Sequence, residues 1–165
     1  MPADQRETAL QQQTTGTKWF SYGFWLFLLG WSALVAAVLL ATLKFGLSAE
    51  VKFKTLFALL IFAGLPGLLK ALLAIASLLA GVNADSFTFQ NPVATNPGYF
   101  VDPTASPVLH SLLTSLDVFT IWTLVLTAMG ITCISKVKSG TAYAVVFGWY
   151  AVVVLLGVGF TAAFA

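Results

Sequence analysis

Charge is scarce in this sequence. None stands between Lys18 and Lys44, and none follows Lys138 to the end at Ala165. Charged residues make up 8% of the 165, against about a quarter in an average soluble chain. Cys133 is the single cysteine, so no disulfide can close within the chain, and it reads as a small buried hydrophobe. His110 is the single histidine, with no Cys, Glu or second His nearby in sequence, so a metal centre lacks ligands. The run from Gly64 to Lys70 does not end in the glycine-lysine-serine/threonine of a phosphate loop. No serine-nucleophile motif and no paired catalytic carboxylates are present. The chain therefore reads as a non-enzyme with no cofactor and no metal. A net charge of +2 is too small to mark a nucleic-acid partner.

What the sequence has is long apolar runs, and hydrophobic residues reach 59%. Four runs lie at roughly 19–43, 55–82, 108–135 and 141–165. A stretch of about 20 apolar residues spans a hydrocarbon core ~30 Å thick. The runs are continuous rather than alternating, which favours helices over barrel strands. The expected fold is an all-α integral membrane protein, a bundle of four transmembrane helices. Residues 1–18 read as a short polar extramembrane segment, partly helical around Arg6–Gln13. Trp19, Phe20, Tyr22 and Trp25 then fit an aromatic belt at the headgroup level.

Two interruptions stand out. Gly64, Pro66 and Gly67 fall in the middle of the second run, and a proline there should kink the helix. Such a cluster can also build the broken helix of a transporter; the kink is the preferred reading. The loop 83–107 carries Pro92, Pro97, Pro103 and Pro107, which break any long helix, and its four aromatics should fold it back onto the bundle or interface. Small residues spaced by four (Ala33/Ala37/Ala41, Ser77/Gly81, Ala144/Gly148) offer weakly marked helix contact faces.

Lys70 and Asp117 are the sharpest pair. A charge inside a span costs ~2.5–3.5 kcal/mol on insertion scales and normally faces the bundle interior. Counting at 1.5 Å per residue puts Lys70 about 22 Å from one edge and Asp117 about 14 Å from the other, which places both in the same half of the core. An ion pair between the second and third spans would lower both costs. The alternatives are separate solvation, with Lys70 snorkelling, and a transport role.

Orientation follows from the lysines. Lys44, Lys52 and Lys54 lie in one short connection, Lys136 and Lys138 in another, and the long loop and C-terminus hold no basic residue. The positive-inside rule then puts both lysine turns in the cytoplasm and the N-terminus, the 83–107 loop and the C-terminus outside.

The stretches Phe53–Leu79, Asn91–Asp102 (NPVATNPGYFVD), Leu116–Gly130 (LDVFTIWTLVLTAMG) and Lys136–Trp149 (KVKSGTAYAVVFGW) occur in that order. Together they resemble bacterial members of the Yip family, named for proteins that interact with Ypt/Rab GTPases in eukaryotic vesicle traffic. The likeness runs over nearly everything from Trp19 onward, so 19–165 reads as a Yip-like transmembrane domain. It implies a membrane scaffold or adaptor in the bacterial cytoplasmic membrane, with lipid, other membrane proteins or its own copies as partners. A GTPase partner follows only by analogy with eukaryotic relatives. The family plan has five spans and this chain shows four. Residues 1–18 then resemble the external linker after the family's first span, in a chain shortened or started internally. A small transporter or channel subunit built on Lys70 and Asp117 is the rival reading.

Overall fold

A computed structural model describes residues 3–81 and 93–164, with side chains from Tyr22 onward. Every regular element among them is helical: α1 (Ala3–Ala41), α2 (Phe53–Ala63), α3 (Leu65–Leu79), α4 (Pro107–Thr114), α5 (Val118–Ile134) and α6 (Ser139–Phe164). A π-helical turn, Thr42–Gly46, closes α1, and a 3₁₀ turn, Pro97–Phe100, precedes α4. Three stretches are long and apolar enough to cross a membrane: Tyr22–Gly46, Phe53–Leu79 and Ser139–Phe164. A fourth is reached if α4 and α5 count as one bent crossing.

α1 does not wait for the apolar run. Its backbone is helical from Ala3, so the helix expected around Arg6–Gln13 is longer and runs on into the apolar stretch. Residues 3–15 contain neither Gly nor Pro and are rich in Ala, Gln, Glu and Arg, all good helix formers. Trp19 and Phe20 lie outside the described side chains, whereas Tyr22 and Trp25 are exposed.

The second run is interrupted at Gly64, between α2 and α3, two residues before Pro66. The displacement has a simple cause. Pro66 cannot donate to the Phe62 carbonyl and its ring presses on that turn, so the helix yields just upstream. Gly67 N instead reaches Gly64 O at 2.9 Å, a tighter link over three residues. Pro66→Ala is therefore expected to join α2 and α3, seen as slower amide exchange at residues 64–67. Unchanged exchange there would assign the break to Gly64 alone.

The third run departs from the continuous helix expected over 108–135. It is two helices, α4 and α5, bent by 45° at a break over residues 115–117. Ser115 closes α4, and Asp117 adopts an extended backbone with φ −79° and ψ 131°. Short polar side chains compete with the helix for backbone partners and are favoured at such ends.

α5 is the hub, packing on α2, α3 and α6, while α1 packs on α2, and α4 on α6. The main core gathers at one end, where Leu39, Leu43, Leu56, Ala128, Ile131, Ala142 and Val146 meet. Ala128 and Ala142 let helix backbones approach closely, and Gly130 does the same beneath Leu59. The four-residue stripes do not make these contacts: Ala37, Ala41, Ala144 and Gly148 are exposed, and Ala36 is buried in their place. Outside the core, large apolar side chains cover the helices, among them Phe62, Leu72, Leu156 and Phe160.

Candidate functional site: a polar junction between two broken helices

The break between α4 and α5 lies against α3, and two charges set among apolar residues, Lys70 and Asp117, meet there. Lys70 lies on the second turn of α3, and Asp117 stands in the α4–α5 break. Lys70 Nζ is 2.8 Å from Asp117 Oδ2, and the side chains are 24% and 4% exposed. The lysine thus keeps an edge toward the surroundings, while the carboxylate is enclosed.

Asp117 has a second role. Its Oδ1 accepts from the backbone amides of Phe119 at 3.0 Å and Thr120 at 3.1 Å, so it is the N-cap of α5. An N-terminal cap satisfies amides that have no partner within the helix, and a negative charge there also meets the positive end of the helix dipole. The Thr120 hydroxyl approaches the same oxygen at 3.4 Å. Lys70 and the helix terminus therefore hold opposite sides of one carboxylate.

The third wall comes from the loop. Thr95 donates its hydroxyl to Asp117 Oδ2, and its carbonyl accepts from Val118 N at 3.1 Å. The next residue, Asn96, caps the 3₁₀ turn by accepting from Tyr99 N at 3.1 Å. Gly98 is then pressed on α4: a Cβ there would fall 2.6 Å from Thr114 N and 2.9 Å from Thr114 Cα. Residues 93–101 thus fold back on the bundle, as the sequence suggested, but not through their aromatics. Phe100 is 79% exposed, and the contact is made by Thr95 and Gly98. Phe87 and Phe89 lie outside the described residues.

α6 completes the junction. The Tyr150 hydroxyl donates to the Ser115 carbonyl at 2.5 Å, satisfying a backbone group that the helix break leaves without a helical partner. Sequence reading found Lys70 and Asp117 but missed Thr95, Ser115, Thr120 and Tyr150. Asp117 just ahead of an apolar run is a recognisable helix-start signal; nothing local in the sequence points from Thr95 or Tyr150 to it.

Comparison with family models, with curated proteins and with solved structures finds no match to this chain. Its chemistry rests on the residues themselves.

His110 lies apart from the junction. It lines a shallow cavity of about 330 Å³ with Pro103, Pro107, Ser111, Thr114 and Thr161. Among the described residues, no three His, Cys, Asp or Glu side chains gather as a metal site would require. Outside the helices, Asp102 accepts from the hydroxyl and amide of Thr104 and from the Ala105 amide. Those bonds hold its carboxyl below the usual carboxylate range and shape the turn into α4.

Proposed function

We propose that the chain is a non-enzymatic integral membrane protein acting as a membrane-embedded scaffold or adaptor of the Yip type. The observation that carries this reading is the full engagement of Asp117. Its two oxygens receive the Lys70 ammonium, the Thr95 and Thr120 hydroxyls and two backbone amides. A carboxylate so occupied suits a fastener between spans better than a relay that must load and release a proton or ion. The broad apolar exterior supports residence in a bilayer, and the sequence likeness supports the adaptor role. Partners are then other membrane proteins or further copies of the chain, with GTPases entering only by analogy.

One observation favours a transporter instead. An ion pair set at a break in one apolar helix, with a second interrupted helix beside it, is a feature that transporters use at their substrate sites. Purification from native membranes in mild detergent separates the readings. A stoichiometric membrane-protein partner supports the adaptor. A partnerless protein that moves a solute in liposomes, and stops doing so as Asp117→Asn, supports the transporter.

In this reading the lysine turns face the cytoplasm of a bacterial cell, with residues 93–106 outside. Cys133 is exposed, not buried as the sequence suggested, and lines the same concavity as Lys136 and Lys138, so it reports sidedness. In intact cells an impermeant thiol reagent should leave Cys133 unmodified. In a Cys133→Ser background it should label a cysteine at exposed Ala105. The opposite pattern inverts the topology.

A further inference from the structure

The lysine-bearing end of the bundle is also where the backbone is least regular. α1 closes in a π-helical turn, a rare form frequently found at functional sites. Just beyond it, Ser48 stands at φ 51°, in the left-handed region that residues with a Cβ seldom enter. Ala49 N donates to the Leu43 carbonyl at 2.9 Å, and Leu43 is fully buried, so this step is pinned. The segment forms one wall of a concavity of about 710 Å³, and the α5–α6 connection forms the other. Ser48, Glu50, Ser135, Lys136, Lys138 and Thr141 supply its polar groups.

The charges in this concavity do not cancel. Among the described residues the salt bridge is that of Lys70 with Asp117, so Glu50 pairs with neither Lys136 nor Lys138. The turn carrying both lysines is held by Ser135, whose hydroxyl donates to Ile131 O at 2.6 Å and accepts from Val137 N at 3.3 Å. α6 begins at once after Lys138, and Ala142 N donates back to Lys138 O at 3.0 Å. The amides of Ser139, Gly140 and Thr141 precede that bond, adding the positive helix end to the two ammonium groups. The opening lies at the end of the apolar helices, with Leu47 in its wall and Phe45 83% exposed nearby. Basic pockets so placed suit phosphorylated headgroups, with apolar side chains beside them for the acyl chains.

We propose that this concavity binds a phosphate-bearing anion, and that its source is the headgroup of an anionic phospholipid. The inference rests on the membrane reading above. Thermal unfolding of the full chain in mild detergent tests it, using short-chain phosphatidylglycerol, phosphatidylcholine of equal chain length, and inorganic phosphate. Phosphatidylglycerol is expected to raise Tm by roughly 5 °C near saturation, and phosphatidylcholine by much less. Lys136→Gln with Lys138→Gln should remove most of that shift. Lys52→Gln with Lys54→Gln, equal in charge but outside the concavity, should keep it. Equal shifts from the two lipids, or equal loss in the two double variants, would overturn the site. Inorganic phosphate reproducing the full shift would overturn the lipid as its source. Release of the chain from membranes by alkaline carbonate would instead sink the membrane reading; retention without a headgroup-dependent shift sinks the site alone.

Discussion

Lys70→Met is expected to destabilise the protein by about 3 kcal/mol, read by SDS titration in mixed micelles with tryptophan fluorescence. Removing one member of a buried pair strands the other, typically at a cost of ~3–5 kcal/mol. Asp117 would be the stranded group, with its side chain 4% exposed. The lower end of the range applies because Thr95, Thr120 and two amides still bond the carboxylate. Substitutions at Asp117 should separate its two roles. Asparagine keeps an oxygen for the Phe119 and Thr120 amides, while alanine leaves both without a cap. Asp117→Ala should therefore cost about 1 kcal/mol more than Asp117→Asn, the usual worth of an N-cap. Equal losses from the two would mean that the cap contributes nothing here.

Gly98→Ala should rank beside it. The added methyl would meet backbone atoms of Thr114 at 2.6 and 2.9 Å, which no side-chain rotation can relieve. Overpacking of this kind costs about 1–3 kcal/mol, and the 3₁₀ turn must lift from α4 to avoid it. Thr95, three residues earlier, would be drawn off Asp117 as the turn moved. Faster amide exchange at Tyr99 and Val118 would report that release. Gly67→Ala makes the contrast, since nothing lies within 4 Å of a Cβ there and the residue sits inside α3. It should be neutral or stabilising by up to ~1 kcal/mol, because alanine loses less backbone freedom in a helix. A Gly98→Ala protein as stable as Gly67→Ala would show that the loop is not held where its backbone places it.

The helices were legible in the sequence because each apolar run is long enough to need no partner for its secondary structure. Start and stop were plain at the Lys136–Lys138 turn, where the run expected to end near 135 stops at Ile134 and the one expected from about 141 starts at Ser139. Breaks inside runs were less plain. Pro66 announced itself chemically, although the interruption fell at Gly64, two residues upstream. Asp117 looked like a polar guest in one helix, because hydropathy cannot distinguish an intruding carboxylate from a helix cap. Its extended backbone makes that distinction. Contact faces were the least legible part. In alanine-rich helices several stripes have equal small-residue spacing, and only the packing of α5 against its neighbours selects Ala128 and Ala142 over Ala144 and Gly148. The pairing of Lys70 with Asp117 was approachable because depth along a span can be counted, residue by residue, without knowing the fold.

The Lys70–Asp117 pair is expected to fasten α3 to the start of α5. Its most direct test is the double-mutant cycle of Lys70→Met and Asp117→Asn. Removing both partners leaves no stranded charge, so the double variant should be more stable than the sum of the single losses allows. A coupling of at least ~1 kcal/mol, with part of the lost stability recovered, is the expected result. Strictly additive losses would contradict it, since two charges that bond at 2.8 Å cannot be energetically independent.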